Sequence, residues 1–186
     1  MPSHFTFTAV GIVHSPIREP LDDVWGGVTS RIELDSSRFA PDCLKGLEEF
    51  SHVEIVFTFH RIPDSEVYFG SRRPRGRADW PEVGIFAQRG KNRPNRIGVT
   101  VCRLLSVKGL TIEVEGLDAI DGTPVLDIKP YIVGFAPKGA VRQPAWAGEL
   151  MINYWDKGAW LFNCGSICGR GSFTGHPDAQ REITNS

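Results

Sequence analysis

The stretch IGVTVCRLLSVKGLTIEVEGL, residues 97–117, decides the architecture. Two runs rich in β-branched residues, 97–107 and 110–117, meet across Lys108-Gly109. A short polar, glycine-containing break between such runs is a hairpin signal. The same patterning continues on both sides. Residues 125–133 form a further apolar run after the Asp121-Gly122 turn, and 53–59 (VEIVFTF) reads as a strand rich in β-branched and aromatic residues. Residues 28–34 alternate, and 5–14 alternate before turning apolar, as a strand entering a core does. A brief strand is predicted at 83–87, a short helix at 42–50 with Asp42 as N-cap, and an amphipathic helix at 145–155. Strands joined mainly by hairpins predict a mainly β single domain, an antiparallel barrel or curled sheet with short peripheral helices. Alternating βαβ units are missing from this pattern, so the fold is expected to be non-Rossmann.

Composition agrees with that class. Twenty glycines and thirteen prolines in 186 residues suit a turn-rich β fold better than a helical bundle. The domain is expected to span 1–140, followed by a helix at 141–155 and a poorly ordered tail at 156–186. The N-terminus lacks the basic and long apolar regions of a signal peptide, and no apolar run is long enough to span a bilayer, so a cytoplasmic location is expected. Free thiols are then expected for Cys43, Cys102, Cys164 and Cys168, whose spacing gives no sound metal site.

Net charge is only −1, but its distribution is uneven. Residues 1–60 carry four basic and nine acidic side chains, whereas 72–96 carry eight basic ones against Asp79 and Glu82. Such a concentration points either to an anionic partner or to a solvated arginine-rich loop. Within it, QRGKNRPNR (88–96) supplies planar hydrogen-bonding groups on a loop stiffened by proline, suited to a carboxylate, a phosphate or a base edge. A second segment, GLDAIDGTPVLDIKPY (116–131), holds Asp118, Asp121 and Asp127 with Lys129 and Tyr131. Carboxylates accept hydrogen bonds from ribose hydroxyls or an ammonium, and an aromatic face attracts a cation. Asp121-Gly122 as a simple turn, and Lys129–Asp127 as a simple ion pair, are the plainer readings.

Five strings carry a resemblance: VGIVHSP (10–16), GLEEFSHVEIVFTFH (46–60), RPRGR (73–77), VGIFAQRGKNRPNRIGVT (83–100) and GLDAIDGTPVLDIKPY (116–131). In this order they resemble the TsaA-like family, whose bacterial members include TrmO-type tRNA adenosine N6-methyltransferases. The resemblance implies a dimeric, barrel-like enzyme dependent on S-adenosylmethionine. Its substrate would be tRNA, at adenosine 37 beside the anticodon, often already threonylcarbamoylated. Matched by position, Arg18, Glu19, Pro20, His60, Arg61, Arg89, Asp118, Ala119, Ile120, Asp121 and Gly122 are expected to hold the cofactor. Arg73, Arg75, Arg93 and Asn95 are expected to meet RNA, and Asp127, Lys129 and Tyr131 to act in catalysis. No metal and no membrane are implied. One departure is plain: Arg96 stands where the family pattern commonly has proline, giving RPNRIG for RPNPIG.

The expected chemistry is in-line methyl transfer to the adenine N6 amine, with Asp118 or Asp127 accepting a hydrogen bond from that amine. A splayed base would stack on an aromatic such as Tyr131. The alternatives are a cofactor-sensing or RNA-binding module without transfer, and a methyltransferase for another substrate.

Overall fold

The computed structural model describes residues 4–23 and 25–154. Among these described residues there are eight strands: β1 (Gly11–His14), β2 (Thr29–Leu34), β3 (His52–Thr58), β4 (Ser71–Arg72), β5 (Val83–Gly84), β6 (Ile97–Lys108), β7 (Thr111–Glu115) and β8 (Pro124–Pro130). Six of them close a barrel in the order β1-β2-β7-β6-β3-β8, and β4-β5 make a separate two-stranded ribbon. The barrel ladders are all antiparallel, which the hairpin pattern predicts. One helix, α1 (Ala145–Tyr154), follows the barrel. The closed sheet leaves no open edge, which suits a small domain with so little helix.

Alternation explains the core. In β2, β3 and β7 every second residue is buried, and those residues (Ile32, Leu34, Val53, Ile55, Phe57, Ile112, Val114) fill the barrel with Val13, Cys102 and Val125. Strand β6 serves two neighbours: its first half pairs with β3 and its second with β7. A register shift between Leu104 and Ser106 makes the bend that this requires.

Some boundaries differ from expectation, each for a physical reason. The predicted helix at 42–50 is a set of turns ending in a 3-10 turn at Leu47–Glu49; Gly46 lies at φ 87°, a left-handed conformation incompatible with a continuing α-helix. Only Val83–Gly84 of the 83–87 strand is paired, and Ile85–Ala87 form a 3-10 turn. Residues ahead of Val10 run past the end of the short β1–β8 ladder, leaving Phe5 and Phe7 exposed. The hairpin loop falls at Gly109-Leu110, one residue later than predicted. The tail expected at 156–186, with Cys164 and Cys168, lies outside the described residues.

Topology then decides where chemistry can gather. In this antiparallel barrel the connections 15–28, 59–96 and 116–123 all emerge at one mouth. The connections 35–51 and 109–110, and the exit from β8, lie at the other.

Candidate active site

The crowded mouth encloses a cavity of about 500 Å³, within the roughly 300–1,000 Å³ typical of small-molecule sites. Its floor is the barrel itself: Phe57 and Phe59 from β3 and its end, with Asp118, Ala119, Ile120 and Thr123 from the connection 116–123. Alternation along VFTF brings both rings to the inside, where they meet edge to face at 5.2 Å. Trp25 and Tyr68 add further aromatic surface. The cations Arg61, Arg72, Arg73, Arg75, Arg89 and Lys91 line it against the carboxylates Asp22 and Asp118, so the cavity is basic as well as aromatic. Such a lining suits a ligand with an anionic group, a cationic centre and flat rings.

Asp118 is oriented from below, because the Thr100 hydroxyl donates to its carboxylate. Burial, with Asp118 adding to it, pushes the Cys102 thiol well above its ordinary range, so this cysteine stays protonated and is no nucleophile at neutral pH. Desolvation, and then the neighbouring Arg61 guanidinium, hold the His60 imidazole below its ordinary value. At neutral pH His60 is therefore an uncharged hydrogen-bonding group on the cavity wall.

Most residues expected at the cofactor come together here: Pro20, His60, Arg61, Arg89, Asp118, Ala119 and Ile120 all line the cavity. Arg18 and Glu19 stand just behind, where Arg61 donates to the Arg18 carbonyl at 2.7 Å and to the Glu19 carboxylate at 3.4 Å. Asp121 and Gly122 serve the backbone instead. The Asp121 carboxylate accepts from Ser15 N–H at 3.1 Å, its own N–H donates to the Ile17 carbonyl at 2.8 Å, and Gly122 N–H reaches Val13. With Gly122 at φ 78° this is the turn reading, tying the connection 15–28 to 116–123. We expect Asp121→Ala to lower stability by about 1 kcal/mol, the cost of losing a part-buried acceptor for Ser15 N–H. It should weaken ligand binding only through the loosened 15–21 segment. Urea denaturation and ligand titration check this, and a variant of native stability that has lost binding would return Asp121 to the ligand shell.

The expected catalytic trio is not at the mouth. Asp127 and Lys129 pair across from Val56 and Glu54 of β3, on the outer wall, and Tyr131 N–H donates to His52 at the far end. Five residues of strand separate His52 from Phe57, roughly 17 Å. Lys129 binds Asp127 at 2.5 Å, and that hydrogen bond and charge hold the lysine above its ordinary value. The plainer reading, an exposed ion pair, is what this chain has. Of the two carboxylates considered as amine acceptors, Asp118 reaches the cavity and Asp127 does not.

The basic stretch stays at least partly exposed, but many of its charges have partners within the chain. Arg75 grips Asp23 with two hydrogen bonds at 2.6 and 3.0 Å, Lys91 pairs with Asp22 at 2.6 Å, and Arg96 with Asp64 at 2.7 Å. Arg77 pairs with Asp79. Arg73, Arg89 and Arg93 donate to backbone carbonyls, while Arg72 stacks over Tyr68 at 4.7 Å. Arg73 and Arg75 line the cavity, whereas Arg93 and the exposed Asn95 do not. Arg75 and Lys91 thus tie this stretch to Asp23 and Asp22 of the acidic first part of the chain, and Arg96 ties the loop to its own beginning. Trp146 and Leu150 of α1 also line the cavity. The amphipathic pattern of 145–155 announced a helix, but nothing in it announced which cavity the helix would close.

Comparison with known proteins follows the same outline. The tRNA-methyltransferase O N-terminal domain family matches residues 18–136. A probable S-adenosyl-L-methionine-binding protein of Pyrococcus abyssi is 35% identical over 149 residues, covering 76% of each chain. The tRNA (adenine(37)-N6)-methyltransferase of Escherichia coli is 33% identical over 168 residues, 82% of this chain and 70% of that enzyme. A crystal structure of TrmO from Pseudomonas aeruginosa superposes with a TM-score of 0.63 at 28% identity, covering 78% of this chain and 63% of that one. The mouse enzyme of the same name is far longer, and the match spans only 21% of it. With more than half its length matched, including five of the six barrel strands, the chain belongs to the tRNA-methyltransferase O N-terminal domain family.

Proposed function

We propose that this chain transfers a methyl group from S-adenosylmethionine to the N6 amine of adenosine 37 in tRNA. The observation that carries the reading is the cavity itself. Three separate connections bring aromatic rings, guanidinium groups and one oriented carboxylate to the mouth of a family barrel. The residues fit the cofactor's chemistry: Arg72 and Arg89 can hold a carboxylate, and the rings of Phe59 and Tyr68 can face a purine and a cation. When bound, S-adenosylmethionine supplies an electrophilic methyl group on a sulfonium. The protein's part is alignment, exclusion of water and stabilisation of the amine as its lone pair localises. In this reading Asp118, held by Thr100 at the cavity, accepts a hydrogen bond from that amine or from a ribose hydroxyl. His60, uncharged at neutral pH, adds no competing positive charge beside a sulfonium.

In finer detail, the reading takes adenosine already carrying a threonylcarbamoyl group as the substrate, a homodimer as the working form and the cytoplasm as the location. These features rest on the family resemblance. Among the described residues no helix is long and apolar enough to cross a membrane.

The test is direct. Purified protein is incubated with methyl-labelled S-adenosylmethionine and anticodon stem–loop RNA, with and without the threonylcarbamoyl group, and the nucleosides are read by mass spectrometry. N6-methylation at position 37, stronger on the modified RNA, is the expected result. Cofactor binding without incorporation into any RNA would leave a sensor in place of a transferase.

A further inference from the structure

The matched family segment ends at residue 136, yet the cavity does not. After β8 leaves the far end of the barrel, residues 132–144 run back to the mouth, where α1 sets Trp146 and Leu150 into the cavity wall. The helix is fastened there by specific contacts. The Trp80 indole N–H donates to the Glu149 carboxylate at 2.9 Å, and the Trp80 and Trp146 rings meet at 6.1 Å with a 43° tilt. Trp80 is itself nearly fully buried and is covered by the Arg77 guanidinium at 4.3 Å. Trp146 is half-buried, so part of its ring backs onto Trp80 and part faces the cavity.

The cavity accordingly has two walls of different origin. The inner one, Phe57 with Asp118 to Ile120, belongs to the barrel common to the family. The outer one, Trp146 and Leu150, comes from α1, which follows the barrel and lies beyond the matched family segment. A transferase must place the acceptor in the same cavity, within bonding reach of the donor. A rigidly backed indole is a stacking platform for a planar base extruded from a loop.

We propose that Trp146 is the residue on which the acceptor adenine stacks, making α1 a substrate-binding element for RNA; this rests on the transferase reading above. Affinity for an anticodon stem–loop, read by fluorescence anisotropy in saturating S-adenosylmethionine, tests it without turnover. Trp146→Ala should bind the stem–loop roughly 5- to 150-fold more weakly, the range of one base–aromatic stack. Trp146→Phe should restore most of that loss, and cofactor affinity by calorimetry should stay within about twofold of the parent. The decisive arm replaces the target adenosine by an abasic site. The parent protein should lose affinity for this RNA, and Trp146→Ala should lose little further, because both changes delete one contact. Equal losses on the abasic RNA in both proteins would overturn the assignment. So would a fall in cofactor affinity as large as that for RNA. A chain that binds RNA through Trp146 yet transfers no methyl group overturns the transferase reading and supports the stacking one.

Discussion

Gly98→Ala is expected to cost about 2–3 kcal/mol of stability and to abolish ligand binding at the barrel mouth. Gly98 stands opposite Phe57 in the β3–β6 ladder, one residue in from its start at Ile97. A Cβ placed there would come within 2.9 Å of three carbons of the Phe57 ring. Phe57 is fully buried among Val53, Ile55 and Val125, so its ring cannot retreat into the core without overpacking it. Overpacking of that kind costs about 1–3 kcal/mol. The open direction for the ring is the cavity whose floor it forms. Either outcome damages the site: a strained barrel, or a ring standing where ligand should be. Urea denaturation measures the first and calorimetric titration with S-adenosylmethionine the second. Gly84→Ala is the control, since nothing lies within 4 Å of a Cβ there and φ is −61°. If Gly98→Ala matched the control in both measurements, the packed contact between Gly98 and Phe57 would have no energetic consequence, and Phe57 would not be a rigid cavity floor.

The same pair shows what could be read before any coordinates. VEIVFTF and IGVTVCRLL announce strands because β-branched and aromatic residues recur at a spacing of two, and that spacing also says which residues face inward. The barrel was therefore legible, and the family strings pointed to Asp118 to Ile120, which line the cavity from a short connection between two well-marked strands. What the sequence withheld was the end of the barrel at which each group emerges. Asp127 and Lys129 are close to Asp121 along the chain, but β8 carries them down the outer wall, away from the mouth. The internal pairing within the basic stretch was hidden for a related reason. Most of its acidic partners are distant in sequence, with Lys91 and Asp22 separated by 69 positions and Arg75 and Asp23 by 52. Local charge counts cannot see an intramolecular partner that only the fold supplies. Trp146 was hidden in the same way, since a helix pattern says which face is apolar but not which cavity that face will close.

Arg96→Pro, the change that restores the common family string RPNPIG, is expected to destabilise this chain by about 3 kcal/mol or more. Proline holds φ near −65° and has no N–H to donate. Arg96 sits at φ 51°, and its N–H donates to the Arg93 carbonyl at 2.9 Å. Neither feature survives the substitution, so the loop here is a different conformation and not a charged copy of a proline turn. The side chain reinforces that conformation. Its guanidinium donates to the Ile62 carbonyl at 2.8 Å and to Asp64 at 2.7 Å, binding the end of the 59–96 connection to its beginning. Three variants separate these contributions. Arg96→Ala keeps the backbone hydrogen bond and loses the tether. Arg96→Gly loses the tether as well but removes the strain of a left-handed residue, about 1 kcal/mol or more. The expected order of stability is therefore Gly above Ala, and Ala well above Pro. Chemical denaturation at a single pH ranks them. Arg96→Pro equal to Arg96→Ala would mean that the backbone at this position moves freely to the family conformation, and that the positive φ carries no constraint on the loop above the cavity.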